Sequence, residues 1–420
     1  MFSATRFTRL GRIAAVRPYS SAVAQAARPQ AAAPANRALT FNGVSYPYRW
    51  LRDSCQCPDC IHPSTRQKLH RTTDVSADTS PAPGGVHLKA DGVDIHWASG
   101  HRSFYPSDLL THHASVSNLR KFHQDIDPIS WTSERLKSSE TLFVPYKDMQ
   151  TTKAGMLAAI EQLTKYGLVL VTGVPTEKNS HQDCEVRKLA ELFGEIRSTM
   201  YGELWDVKNI RNSTNIAYTN LDLGFHIDLQ YFQHPPRYQF LHCIRNRVQG
   251  GISLFVDALQ AAKDLRTSHP TDFDLLTSTP VTFHYINDGH HLHHSHPTIE
   301  LAPVSSDPTL PRPISHINYS PPFQAPLPLS TPPEFYSAFE RFAGLLNRDG
   351  ARYEYTLKEG DAVVFDNRRI LHARTAFYDE NENEGAEKPG EVNRWLKGCY
   401  VEADSVLDRG RGLRNAVSEA

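Results

Sequence analysis

The segment Gly224-Phe-His226-Ile-Asp228 sets an imidazole and a carboxylate two residues apart. Residues i and i+2 of an extended strand face the same way, so both side chains can reach one ion. A third donor must come from afar. Asp361-Ala-Val-Val-Phe365-Asp-Asn-Arg-Arg-Ile-Leu-His372 reads as strand, turn and strand ending on a histidine. Two histidines and one carboxylate on one face hold non-haem Fe(II) and leave positions open for a cosubstrate and oxygen. By spacing alone, His226 and Asp228 equally suit a structural His–Asp hydrogen bond.

A second cluster, Cys55-Gln-Cys57-Pro-Asp-Cys60, puts three thiols into one tight loop. Three thiolates and one histidine are a structural zinc set, with His62, His70 or His101 as the fourth donor. The bland alternative is three free buried thiols. A closed four-ligand site has no vacancy for substrate, so catalysis belongs elsewhere. The run His290-His291-Leu-His293-His294-Ser-His296 lacks a carboxylate at ligand spacing and reads as a solvated loop, not a metal site.

These groups need elements to hold them. Leu39 to about His113 is short and β-like, with Gly92-Val-Asp-Ile-His-Trp97, a turn at Gly100 and Ser103-Phe-Tyr105. Residues 117–139 are polar, carry Asp127-Pro128 and suit an interdomain connection. Met156, Ile160 and Leu163 recur at helical spacing before the apolar run Leu168-Val-Leu-Val171, which predicts a helix and then a buried strand. Val186, Leu189 and Phe193 mark a second helix that stops near Gly194. Short strands are predicted at 239–244, 253–256, 281–286, 362–365 and 395–401, giving a β-barrel or jelly roll with flanking helices. Residues 302–333 are rich in Pro and Ser, and 379–391 form an acidic surface loop.

The 420 residues carry 45 Lys and Arg against 46 Asp and Glu, a balance without the positive field of a general nucleic-acid binder. No run reaches the roughly 18 apolar residues of a membrane-spanning helix. Six unevenly placed cysteines suit a reducing compartment rather than a disulfide framework. Residues 1–38 hold Arg6, Arg9, Arg12, Arg17, Arg28 and Arg37 with no acid, which predicts a mitochondrial transit peptide and linker to the matrix. A basic tail on a cytosolic protein is the alternative.

Several phrases follow one another in a familiar order. They are Tyr46-Pro-Tyr-Arg-Trp-Leu-Arg-Asp53 with the cysteines, Phe225-His-Ile-Asp228, Leu241-His-Cys-Ile244, Gly250-Gly-Ile-Ser253, Phe365-Asp-Asn367 with Leu371-His372, and Leu396-Lys-Gly-Cys-Tyr400. Over about residues 40 to 410 this resembles the γ-butyrobetaine dioxygenase and trimethyllysine dioxygenase family of 2-oxoglutarate-dependent, Fe(II)-dependent oxygenases of carnitine biosynthesis. The resemblance implies a mainly β fold with flanking helices. A small zinc-binding, β-rich N-terminal domain (39–125) would precede a double-stranded β-helix, or jelly-roll, catalytic domain (140–415).

By the same resemblance His226, Asp228 and His372 are iron ligands, and Cys55, Cys57, Cys60 and His101 zinc ligands. Arg394 grips the distal carboxylate of 2-oxoglutarate, helped by Ser253 and Asn215. A planar guanidinium suits that task because it binds a carboxylate bidentately and keeps its charge. Arg394 lies 22 residues after His372, longer than the usual family interval, which makes Arg374 its competitor. Tyr201, Trp205, Tyr218 and Tyr400 match positions that enclose a trimethylammonium group, a cation suited to aromatic faces.

The implied reaction consumes O2 and 2-oxoglutarate, with ascorbate as reductant, and hydroxylates γ-butyrobetaine or, as the alternative, trimethyllysine. Leu229 stands where the butyrobetaine enzymes commonly carry a tyrosine, and Tyr231-Phe-Gln233 looks more like the trimethyllysine branch. The complete cysteine motif and Asn215-Ile-Ala-Tyr218 favour the butyrobetaine branch. A zinc-organised interaction protein with a dead barrel is the rival from another class, and a homodimer is compatible with the sequence.

Overall fold

The computed structural model describes residues 37–209, 215–303, 311–379 and 392–418. The arginine-rich segment 1–36, where a transit peptide is expected, and nearly all of the acidic segment (380–391) lie outside them. The chain divides into two compact units, Met1–Leu119 and Arg120–Ala420.

In the first unit the strands Pro81–Lys89, Gly92–Trp97 and Arg102–Pro106 form an antiparallel sheet. Alternation along Gly92–Trp97 and Arg102–Pro106 buries Val93, Ile95, Trp97 and Tyr105 against Leu51 and Leu110. The Tyr105 hydroxyl donates to the Leu51 carbonyl at 2.5 Å, tying the sheet to the short helix Tyr48–Asp53 that leads into the cysteines.

Two sheets make the core of the second unit. One has six strands in the order Phe143–Pro145, Leu168–Thr172, Ala362–Asp366, Tyr238–Asn246, Arg394–Val401, Trp205–Lys208. The other has four, in the order Arg352–Tyr355, Ser253–Asp257, Ile370–Arg374, Leu223–His226. They face each other across an apolar layer that includes Phe255 and Phe365, whose rings lie 5.6 Å apart. This is a jelly roll, as the sequence predicts.

The outer face of the larger sheet buries Val169, Val171, Phe240, Val364 and Cys399 against Ile160, Leu163, Leu189 and Phe193 of the helices Lys153–Tyr166 and Glu185–Phe193. Period two in the strands and 3.6 in the helices therefore meet at one interface. In Arg394–Val401, even-numbered Arg394, Leu396 and Tyr400 face the interior between the sheets.

Three expectations are corrected. The 117–139 connection is not simply a linker, because it contains the helix Ser133–Lys137 and the fully buried Trp131. Flanking helices were expected, but four of them fall in stretches read as strand and loop: Ala258–Ser268, Pro270–Ser278, Pro333–Asn347 and Ala403–Ser418. The histidine run is not a loop. His290–Pro297 is a strand in full antiparallel register with Pro280–Asn287, and cross-strand packing overrides the weak β-propensity of its residues.

Candidate active site

His226 closes the strand Leu223–His226 and pairs in register with His372 of the neighbouring strand Ile370–Arg374. That pairing brings two residues 146 positions apart side by side, their rings 4.1 Å from each other. Asp228 follows just beyond the strand end. Its Oδ1 lies 3.3 Å from His226 Nε2 and 3.8 Å from His372 Nε2. One donor atom from each residue falls within 4.8 Å of the others, a face able to hold a single ion.

Local bonds fix this face. His226 Nδ1 donates to the Gly224 carbonyl at 2.8 Å, which fixes the ring and turns Nε2 toward Asp228. The Tyr400 hydroxyl donates to Asp228 Oδ2 at 2.8 Å. Burial works against ionisation of Asp228, but the His226 hydrogen bond, the two imidazoles and the Tyr400 hydroxyl outweigh it and hold the carboxyl well below its usual range. Burial, reinforced by the His226 charge, pushes His372 down to about 3, so its ring is a neutral donor at physiological pH.

The backbone at Asp228 is held by Asn367, a wholly buried residue in the turn before Ile370–Arg374. Its Oδ1 accepts from Asp228 N at 2.9 Å, and its Nδ2 donates to the carbonyls of Asp228 and Pro236 at 3.1 Å each. The next residue, Leu229, sits at φ 59°, a strained region for a branched side chain. The Phe365-Asp-Asn367 phrase was visible in the sequence, but the amide's grip on Asp228 was not.

The three donors open onto a cavity between the sheets. Arg394, buried at 5 % exposure, lines it, and its guanidinium stands 5.2 Å over the Phe377 ring. Gly251, at φ +65°, makes room for it, since a Cβ there would lie 2.9 Å from Arg394 Nε. Burial and the neighbouring Arg374 charge push Arg394 down to about 10, and no carboxylate pairs with it among the described residues. A buried, unpaired guanidinium is a site for an anion.

Arg374 lines the same cavity but is already engaged. Its guanidinium donates to the carbonyls of Ala217 at 3.3 Å, Thr219 at 2.8 Å and Leu221, stapling the turn that carries Tyr218. Ser253, cross-strand partner of Arg374, also faces the cavity. Asn215 lines it too, with its Oδ1 accepting from Ala217 N at 2.9 Å and its Nδ2 donating to the Tyr201 hydroxyl at 3.2 Å.

Tyr201, Trp205, Tyr218 and Tyr400 all line the cavity, with Trp205 and Tyr400 5.4 Å apart. Tyr231 and Phe323, named in no candidate site, complete the ring wall. Their rings meet edge to face at 5.1 Å, and Tyr231 reaches the Tyr201 hydroxyl at 3.3 Å. Buried Gln239, also missed, lines the cavity with its Oε1 unpartnered. Its signal was faint: it sits beside buried Phe240 on a strand that buries His242 as well.

In the N-terminal unit, His101 Nε2 lies 3.4, 3.6 and 3.6 Å from the sulfurs of Cys55, Cys57 and Cys60. Ligands at 2.3 Å (S) and 2.1 Å (N) around a tetrahedral zinc would be separated by about 3.6 Å, so the donor set has the dimensions of such a site. Of the three histidines left open by spacing, it is His101 that meets the sulfurs. His70 instead lies 3.3 Å from Asp53, and His62 accepts from Thr65 N. Arg52 donates to Cys60 Sγ at 3.3 Å.

The model of the "Taurine catabolism dioxygenase TauD, TfdA family" matches residues 136–400, which contain every residue of the cavity. The chain belongs to this dioxygenase family. Residues 39–111 of the dioxygenase match the family model "Gamma-butyrobetaine hydroxylase-like, N-terminal". It is 52 % identical to "Dioxygenase str8" of Strobilurus tenacellus over 88 % of this chain and 85 % of that protein. It is 31 % identical to the γ-butyrobetaine dioxygenase of a Pseudomonas species, over 86 % and 88 % respectively. To the mitochondrial trimethyllysine dioxygenase of Bos taurus it is 29 % identical, over 89 % and 83 %. The protein is a 2-oxoglutarate-dependent dioxygenase of small molecules, and iron is its metal.

Proposed function

We propose that this dioxygenase hydroxylates a trimethylammonium compound, γ-butyrobetaine to carnitine foremost and trimethyllysine as the alternative, with Fe(II) on His226, Asp228 and His372. The observation that carries the reading is the ring wall beside the three donors, built from Tyr201, Trp205, Tyr218, Tyr231 and Tyr400. A quaternary ammonium has a diffuse charge and no N–H, so ring faces stabilise it by roughly 0.5–2 kcal/mol each. The names of two relatives point to the same substrates.

The residues divide the work. Fe(II) supplies the redox chemistry by which O2 converts 2-oxoglutarate to succinate and CO2 and leaves one oxygen atom in a substrate C–H bond. Arg394 holds the distal carboxylate of 2-oxoglutarate, with Ser253 beside it. Asn215 orients Tyr201 and the turn that carries Tyr218. Tyr400 serves twice, its hydroxyl steadying Asp228 while its ring and that of Trp205 face the cation. Cys55, Cys57, Cys60 and His101 hold a structural zinc, ascorbate keeps the iron reduced, and the arginine-rich leader directs the chain to the mitochondrial matrix.

The deciding experiment is turnover of γ-butyrobetaine, its neutral tert-butyl isostere and trimethyllysine side by side, read as succinate and hydroxylated product. The expected result is that γ-butyrobetaine reacts, the isostere reacts poorly, and Trp205→Leu weakens the first far more than the second. Negligible turnover of both ammonium compounds would move the substrate to another class, an outcome to which the higher identity with Dioxygenase str8 gives weight. His226→Ala with undiminished succinate formation would remove the iron assignment.

A further inference from the structure

We propose that the outward face of the hairpin formed by Pro280–Asn287 and His290–Pro297 binds one borderline divalent transition ion, of the zinc, nickel or copper(II) class, through His284, His291 and His293. The proposal is independent of the substrate reading above. It rests on register. Thr282 stands opposite Ser295, His284 opposite His293 and Ile286 opposite His291. Directly opposed residues of an antiparallel pair share a face, and Thr282 Oγ1 lies 2.7 Å from Ser295 Oγ, on the face these pairs define.

The other face is inward. It buries Val281, Phe283 and Tyr285, together with His296, whose Nε2 donates to the Phe232 carbonyl at 3.0 Å. The histidine run therefore splits by strand alternation. His290, His294 and His296 go to the inward side, while His291 and His293 join His284 on the outward side. His291 and His293 are exposed and His284 is half-buried. Three imidazoles on one accessible face become a donor set that the linear run alone does not display.

The geometry is near what an ion requires. The rings of His291 and His293 have centroids 6.2 Å apart at 56°. Two imidazoles sharing an ion through nitrogens at 2.0–2.1 Å place their centres roughly 5–6 Å apart. His284 stands opposite His293, where facing Cβ atoms are about 4.5–5.5 Å apart, so side-chain rotation alone brings in the third ring. No hydrogen bond or ion pair of the described residues holds any of the three in place.

These donors do not yet converge as the triad and the cysteine cluster do, so the site forms by rotamer selection on binding. Neutral nitrogen donors without thiolate or carboxylate select copper(II), nickel and zinc over magnesium, calcium or manganese. An ion joining His284 to the opposite strand would also brace Tyr285, which stacks at 5.4 Å on Tyr231 of the cavity wall.

The test is equilibrium dialysis of tag-free, full-length protein, already holding its zinc and iron, against Ni(II) under anaerobic conditions. Total metal per chain is then measured by elemental analysis. Wild type is expected to hold one equivalent more than the variant His284→Ala/His291→Ala/His293→Ala, however full the other two sites are. A variant on the opposite side, His290→Ala/His294→Ala, is expected to keep that equivalent. Equal metal content in wild type and the triple variant overturns the proposal, and so does its loss in the opposite-side variant.

Discussion

Asp228 shows how much of this site is decided by single side chains that touch no ligand. Asn367 holds its amide and its carbonyl at once, against a Leu229 backbone that is strained. Asn367→Ala releases both contacts, and supporting groups around metal ligands commonly carry roughly 10–100-fold in affinity. That loss is expected in Fe(II) affinity, measured by metal titration without turnover, and unchanged affinity would show that the strand ends alone define the triad. The two arginines separate in the same manner. Arg394→Ala removes a cation unpaired among the described residues and is expected to raise the 2-oxoglutarate requirement by about 2–5 kcal/mol, roughly thirty- to several-thousand-fold. Arg374→Ala frees the carbonyls of Ala217, Thr219 and Leu221, so steady-state kinetics should show a raised substrate KM with a smaller effect on 2-oxoglutarate. The reverse ranking would exchange their roles.

The strand Arg394–Val401 sets the cavity at the scale of an element. Its alternation sends Arg394, Leu396 and Tyr400 inward and Cys399 toward the helices, and its register places Gly398 opposite Trp205. The indole lies across that glycine so closely that a Cβ would come within 2.2–2.6 Å of three ring atoms. Gly398→Ala must push Trp205 off the sheet, at a cost typical of overpacking, about 1–3 kcal/mol. Trp205→Phe shortens the ring and makes room. The double variant is therefore expected to be more stable than the sum of the two single changes by at least roughly 0.5 kcal/mol, as measured by a urea double-mutant cycle. Additive effects would mean that the indole has another resting place.

For the molecule as a whole, buried neutral imidazoles set the acid side of the stability curve. Burial pushes His242 and His296 down to about 4 each, and lowers His316 as well, against a usual value near 6.5. Below pH 6.5 the unfolded chain takes up protons that the folded chain refuses, so folding stability falls as pH drops from 6.5 toward 4. The slope is up to about 1.4 kcal/mol per pH unit for each such group. Urea midpoints at pH 7, 6 and 5 should therefore decline, before most carboxylates titrate, and His242→Gln should make the decline shallower. An identical slope in the variant would assign the acid sensitivity elsewhere.

The sequence by itself determined the chemistry available to this protein. Cys55, Cys57 and Cys60 fall within one loop, and His226 and Asp228 stand two residues apart at a strand end, spacings short enough to keep the donors near one another. Short apolar runs likewise announced the strands around Val169, Phe240 and Val364, and 3.6-residue spacing the helix over Met156 and Leu163. Tertiary structure decided which distant partners completed each set. His372 joins His226 through a strand pairing, and His101 was singled out from His62 and His70 by the hairpin that returns it to the sulfurs. Arg394 stands before Trp395-Leu-Lys-Gly, which marked it by resemblance and left Arg374 as its competitor. Only the fold gives Arg374 its three carbonyls and leaves Arg394 facing the cavity, because hydrogen bonding and burial are properties of neighbours that the chain brings together only when it folds.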